Sequence, residues 1–214
     1  MKITSVSRYK GTTFEVEIDG ERKLYLHADM IADYNVREGL ELDRTELRKI
    51  IYASNFRRAY QYALYRLDYR DYSFSEMYSK LLDTYKSEAL CTAVMKKLVQ
   101  AGAIDDERYA ERLARKLVVS KMYGRRRVLR EMKQKGIEGF TAEDALEQYE
   151  YTFFENLMTL LETKHARYLT DSSDRRSVEK VKAALARYGY DFSEINRAVR
   201  EYFENHEEQL EDNE

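Results

Sequence analysis

Three short segments of this chain superimpose on one another: Leu81-Leu82-Asp83-Thr84-Tyr85-Lys86, Met132-Lys133-Gln134-Lys135-Gly136-Ile137 and Leu185-Ala186-Arg187-Tyr188-Gly189-Tyr190. Their leading apolar residues stand 51 and 53 positions apart, and eight positions before each is a small residue suited to start a helix: Ser73, Gly124 and Ser177. Recurrence at this interval marks a repeat architecture, in which a unit too small to bury its own apolar face stacks on its neighbours. Chance similarity within an irregular helical domain is the competing reading. Between the recurrences the apolar residues keep helical spacing: Phe56, Ala59, Tyr60, Ala63, Leu64 and Leu67 fall on one stripe. No proline interrupts any of the 214 residues. Each unit therefore reads as helix, short turn, helix, short turn, helix. A charged fraction of 36%, against roughly 25% in an average globular protein, fits long solvated helices.

The first 27 residues obey a different period. Phe14, Val16 and Ile18 alternate toward one face, Asp19-Gly20 follows, and Leu24 and Leu26 resume the alternation. Asp-Gly between two such runs signals a type I′ hairpin. Ile3, Val6 and Tyr9, ahead of Lys10-Gly11, add a third strand, and short helices are expected over Ala28 to Tyr34 and Asp43 to Tyr52, around a turn at Glu38-Gly39. The expected fold is mainly α: tandem three-helix repeats forming an elongated curved array, with a small N-terminal β-hairpin/α+β extension. Its segments are a cap over 1–53, repeats over 54–104, 105–152 and 153–206, and an acidic tail over 207–214. Tyr85-Lys86 stands where the other repeats have Gly136-Ile137 and Gly189-Tyr190, so the first repeat's turn is expected to differ.

Enzymatic chemistry finds little support. Cys91 is the only cysteine and lies in an apolar run, which excludes an intrachain disulfide or multi-thiol metal site and suits a reducing compartment. His27, His165 and His206 lack metal-ligand spacing, and Cys91 has no nearby histidine to form a nucleophilic pair. Neither a GxxxxGK[ST] phosphate loop nor a GxSxG turn occurs. Asp105 and Asp106 read as an N-cap and a first-turn acid, not as metal ligands, and Ser73 with Glu76 has capping-box spacing. The chain is read as a non-enzyme that needs no metal or cofactor. No stretch approaches the roughly 18 apolar residues of a membrane span, and the strand-like start is unlike a signal peptide. A cytoplasmic monomer without membrane contact is expected.

Charge is distributed unevenly. From Arg112 to Lys135 there are ten Lys or Arg and one acid, Glu131, in a chain of formal net charge -2. On a helix, Val128, Leu129 and Met132 turn inward while Arg126, Arg130 and Lys133 share a side. The guanidinium fork suits phosphate or carboxylate, and a helix N-terminus near Gly124 would add partial positive charge and free backbone N–H groups. A solvated face is the ordinary fate of a charge run, but opposite charges are scarce in this stretch, which favours an anionic partner. The candidate contacts are Arg115, Lys116, Lys121, Arg125, Arg126, Arg127, Arg130, Lys133 and Lys135. A second mixture, Tyr60, Tyr62, Tyr65, Arg66, Tyr69, Arg70 and Tyr72, reads as core on one side and amphipathic surface on the other, or as a platform for stacking bases. Tyr69, Arg70 and Tyr123 are the candidates for base stacking or partner contact.

Ala63-Leu64-Tyr65-Arg66-Leu67-Asp68-Tyr69-Arg70-Asp71-Tyr72-Ser73, followed by Glu76, Leu81, Leu98, Gly102, Ile104-Asp105-Asp106, Tyr109-Ala110, Gly124, Arg127 and Gly136-Ile137, resembles the RecX family of recombination regulators. The match spans about Asn55 to Gln148. The last third is similar to that family's divergent final repeat, and the N-terminal hairpin looks like an extension found in longer members. The resemblance implies three tandem three-helix repeats that bind the RecA recombinase along the groove of its filament on single-stranded DNA. It further implies inhibition or modulation of RecA's ATPase and strand exchange, by occlusion without catalysis, in homologous recombination, DNA repair and the SOS response. The residues themselves support a helical binder with a basic face. A helical-repeat nucleic-acid binder acting independently of RecA is the alternative, and the slightly acidic overall charge argues against strong affinity for bare single-stranded DNA.

Overall fold

The computed structural model describes the backbone of residues 1–211 and the side chains of residues 1–206; the side chains of the acidic 207–214 tail lie outside the described residues. The chain is mainly helical, with one antiparallel sheet at its N-terminus, ordered β1 (Ile3–Lys10), β2 (Thr13–Ile18), β3 (Arg22–His27). Asp19 and Gly20 both take positive φ, +54° and +75°, as a type I′ turn requires. Glu21 N–H closes that turn on the Ile18 carbonyl at 3.2 Å, and because Arg22 is the residue paired with Ile18, the hairpin loop holds one residue more than the tightest form. Alternation then decides what is buried. Ile3, Val16 and Leu26 meet Met30 of α1 (Ala28–Asp33), Val36 and Ile50 in a small core.

Helix α2 (Arg44–Leu67) supplies Ile50. It starts at a full capping box: Asp43 Oδ1 accepts the N–H groups of Thr45 and Glu46 at 2.6 and 2.8 Å, and Glu46 Oε2 accepts Asp43 N–H at 2.8 Å. It then runs unbroken for 24 residues. The short helix expected to stop at Tyr52 and the stripe expected from Asn55 are thus one element, and the position 53/54 falls inside it. No glycine or proline lies between them, and Leu47, Ile50, Ser54, Ala59 and Ala63 form one continuous buried stripe.

Eight further helices complete the described chain: α3 (Phe74–Tyr85), α4 (Glu88–Gln100), α5 (Asp106–Arg115), α6 (Arg125–Gln134), α7 (Phe140–Glu147), α8 (Glu150–Leu160), α9 (Arg175–Tyr188) and α10 (Phe192–Glu211). Wider π turns prolong α5 over Lys116–Ser120 and α8 over Leu161–His165. By internal contacts the chain forms two compact units, one of Met1–Asp71 with Met77–Ile104, the other of Tyr72–Glu76 with the residues from Asp105 on. In the first unit α2 packs on α4. In the second, Tyr109, Ala110, Val118, Val128, Met132 and Leu146 belong to one core, and Leu157, Leu160, Val181, Leu185, Tyr190 and Ile195 to another. Each fully buried apolar side chain contributes about 1.5–3 kcal/mol.

The recurrent segments are the ends of α3, α6 and α9, and each stops on a left-handed residue: Lys86 at φ +53°, Gly136 at +75°, Gly189 at +97°. Only the first lacks glycine, and its left-handed residue comes one position later in the superposition. A side chain there costs roughly 1–2 kcal/mol, partly offset by the entropy glycine would add to the unfolded chain. Lys86→Gly should therefore raise stability by about 0.5–1 kcal/mol, read as a higher urea midpoint at unchanged slope; a lower midpoint would show that Lys86 makes a contact outweighing its backbone cost. At the other ends, Ser73 and Gly124 do precede α3 and α6. Ser177 does not cap α9; the N-cap is Asp174, three residues earlier, whose Oδ1 accepts the N–H groups of Arg176 and Ser177, both at 3.2 Å.

Candidate functional site

Within the second unit, the start of α6 meets the end of α9 backbone to backbone. Gly124 is buried and donates its N–H to the Tyr188 carbonyl at 2.9 Å. Arg127 Nη1 donates to the Arg187 carbonyl at 3.2 Å, and Tyr190 donates its hydroxyl to the Met122 carbonyl at 3.0 Å. Burial pushes the Tyr190 phenol far above its usual pKa, so it stays a donor. The Gly124 N–H expected to be open to an anion is therefore used up. The negative end of α9 lies against the positive end of α6, an arrangement favourable to both helix dipoles.

The nine candidate cations divide into two groups. Arg125 Nη1 reaches Glu150 Oε2 and Nη2 reaches Glu143 Oε2, both at 2.6 Å, which ties the first turn of α6 to α7 and α8. Arg126 pairs with Asp191 at 3.0 Å, Lys133 with Glu138 at 3.1 Å and Lys135 with Glu76 at 3.6 Å. The guanidinium of Arg127 lies 3.7 Å from the centroid of the Tyr123 ring, with Nη2 donating to the Tyr123 hydroxyl at 3.1 Å and Nε 3.6 Å from Glu131. Carboxylates are scarce in the 112–135 stretch, but the fold delivers them from Glu76, Glu138, Glu143, Glu150 and Asp191. Arg115, Lys116, Lys121 and Arg130 are exposed and have no hydrogen bond or ion pair among the described residues. Arg115 ends α5, Lys116 begins the π turn that prolongs it and Lys121 follows that turn, while Arg130 lies on α6.

The aromatic candidates divide as well. Tyr123 is half-buried, with Arg127 on its face and Tyr188 edge-on at 6.0 Å, so it is no open stacking platform. Tyr72 is buried, Tyr60 carries Lys97 over its ring at 4.6 Å, and Tyr62 accepts a hydrogen bond from Arg66 Nε at 3.2 Å. Tyr69 is 72% exposed and donates to the hydroxyl of Tyr65, itself 57% exposed, at 2.9 Å. Arg70 Nη1 donates to the Asp71 carbonyl at 2.8 Å. Tyr65 was missed as an individual candidate; its place one helical turn before Tyr69 was the available signal.

Asp105 Oδ1 caps α5 by accepting Arg108 N–H at 2.9 Å. Asp106 caps a second helix, accepting Phe74 N–H at the start of α3 at 2.8 Å, while burial raises its pKa. Ser73 Oγ accepts Glu76 N–H at 3.1 Å. Burial pushes the Cys91 thiol up, away from the reactive thiolate. Among the described residues no group of three or more metal-ligating side chains occurs, and no helix is long and apolar enough to cross a membrane.

Residues 105–146, which hold all nine candidate cations, match the family model described as RecX, second three-helix domain. Over 213 residues the chain is 26% identical to the regulatory protein RecX of Bacillus velezensis, covering 96% of this chain and 80% of that one. The regulatory protein RecX of Geobacillus thermodenitrificans is 29% identical over 170 residues, 78% of this chain and 62% of its own length. Among solved structures, RecX from Lactobacillus salivarius superimposes with a TM-score of 0.64 at 28% identity, covering 70% of this chain and 97% of that one. A crystal structure of another regulatory protein RecX, 24% identical, shares the fold with a TM-score of 0.71 over 94% of this chain and 98% of its own.

Proposed function

We propose that this chain, a member of the RecX family, regulates the RecA recombinase by binding its filament on single-stranded DNA through Arg115, Lys116, Lys121 and Arg130. The observation that carries this reading is the division of the cations: five of the nine candidates form internal pairs, and four lie at the surface without a carboxylate partner among the described residues. Desolvating an internally paired arginine means breaking its existing contacts, whereas an unmatched one is ready for phosphate. Four such groups in the segment that matches the family's second three-helix domain favour a polyanion as the partner. Bound along the filament, the protein opposes the conformational change coupled to ATP turnover and blocks entry of a second duplex. It acts by occlusion and performs no catalytic step.

The test is ATP hydrolysis by RecA on single-stranded DNA, titrated with this protein at fixed salt, with binding to bare strands followed in parallel. Inhibition is expected at concentrations below those that coat bare DNA. Unchanged RecA turnover, together with tight and salt-sensitive binding to bare strands, would replace this reading with that of a nucleic-acid binder acting alone.

A further inference from the structure

In the first unit, the sheet and α2 enclose an open pocket of about 420 Å³ that shares no residue with the basic face. That volume falls in the range of roughly 300–1,000 Å³ usual for small-molecule sites. The strands contribute Tyr9 and Tyr25, whose ring centroids lie 4.8 Å apart with planes tilted by 57° and which are 62% and 44% exposed. Tyr25 is held in place by donating its hydroxyl to Glu15 at 3.0 Å, and the charge of Glu15 is matched by Lys23 at 2.8 Å.

The polar wall divides into a closed part and an open part. Arg57 donates to Asp29 Oδ2 through Nη2 at 2.7 Å and Nε at 3.1 Å, and its Nη2 lies 3.3 Å from His27 Nε2. His27 Nδ1 is 3.2 Å from Asp29 Oδ2. His27 Nδ1 also accepts the Asp29 backbone N–H at 3.2 Å, capping α1, so the ring is engaged on both nitrogens by Asp29 and Arg57. This ring is internally matched and shapes the wall. Arg58 lines the same pocket, is exposed, and has no ion pair or hydrogen bond among the described residues. Ser54 also lines it, is only 7% exposed, and its hydroxyl has no hydrogen bond among the described residues. The Ser54 hydroxyl is one helical turn from Arg58 on α2 and is free to donate to or accept from a group in the pocket.

We propose that this pocket binds a nucleoside phosphate, with the phosphate on the Arg58 guanidinium and the Ser54 hydroxyl and the base against Tyr9 and Tyr25. An unmatched guanidinium beside an unmatched hydroxyl selects an acceptor-rich anion, and two adjacent exposed phenol rings select a planar ring attached to it. A free nucleotide and one unit of a single strand present the same chemistry. The proposal does not depend on RecA.

Calorimetric titration of the full chain with thymidine 5′-monophosphate, inorganic phosphate and an oligothymidylate tests it. Thymidine monophosphate is expected to bind more tightly than inorganic phosphate, and Tyr9→Ala to remove that difference. Arg58→Ala should weaken mononucleotide binding by about tenfold or more, in line with the loss of a charge-assisted hydrogen bond, while Arg130→Ala leaves it unchanged. Tyr9 and Arg58 are both exposed, so circular dichroism should match the wild type. Binding of the oligothymidylate alone, weakened by Arg58→Ala and by Tyr9→Ala, would also support the site and identify the strand as its ligand. Mononucleotide and oligonucleotide binding that both variants leave untouched, or that the wild type itself lacks, overturns the proposal. RecA is absent from this assay, so its failure is distinct from a failure of filament regulation.

Discussion

Gly189→Ala is expected to destabilise the second unit by about 3 kcal/mol or more. Two costs combine there. At φ +97° any side chain is strained, at roughly 1–2 kcal/mol, and a Cβ would stand 2.3 Å from Arg127 Cβ and 2.6 Å from Arg127 N. Those atoms belong to the first turn of α6 and have no flexible end to move aside, so α6 and α9 would have to separate. The separation breaks the Gly124 N–H bond to Tyr188 and exposes the buried Tyr190 ring. Gly124→Ala isolates the second cost, because its φ of -69° is ordinary while its Cβ would lie 2.4 Å from the Gly189 carbonyl carbon. Gly39→Ala isolates the first, since φ is +81° but nothing lies within 4 Å. Urea midpoints should thus rank Gly39→Ala mildest and Gly189→Ala most severe. Equal losses at Gly39 and Gly189 would mean that the helix ends do not touch.

Replacing Arg115, Lys116, Lys121 and Arg130 together by alanine is expected to abolish inhibition of RecA while the protein stays folded. All four are exposed and unpaired among the described residues, so their removal leaves no buried carboxylate behind. If each contacts one phosphate of a single strand, the slope of log affinity against log salt should fall by about 3, at roughly 0.7 per neutralised phosphate. Arg125→Ala is the contrast. It leaves Glu143 and Glu150 facing each other without their shared cation, so it should cost about 1 kcal/mol of stability, limited by its partial exposure, and should change inhibition little. A quadruple variant that still inhibits RecA at wild-type concentrations refutes the role given to this face.

Arg125 also shows where sequence reading stops. Its count of local charge was correct, since Glu131 is the only acid between Arg112 and Lys135. The inference of scarce partners failed, because Glu143 and Glu150 stand 18 and 25 residues away and Asp191, the partner of Arg126, 65 residues away. The Gly124 N–H at the start of α6 found its partner, the Tyr188 carbonyl, 64 residues away for the same reason. A glycine before a run of arginines looks like an open anion site, and only the arrival of α9 takes up the Gly124 N–H. The surroundings of Tyr123 were likewise set by the fold: Arg127, four residues on, covers its face and Tyr188, from a distant helix, its edge.

What the sequence by itself determined was set by forces that act within about four residues. The Asp43 capping box, the Asp105 cap, the Asp19-Gly20 turn, the alternation of β1 to β3 and the left-handed ends of α6 and α9 are all of this kind. So was the number of helices per recurrence, because periodicity is a property of neighbouring residues. Tertiary structure alone decided that α2 runs through the expected break, that α6 begins against the end of α9, and which cations remain free. Coulomb attraction and steric exclusion depend on distance in space and not on separation along the chain. That Arg115, Lys116, Lys121, Arg130 and, in the first unit, Arg58 and Ser54 have no partner among the described residues could be read only from the folded chain.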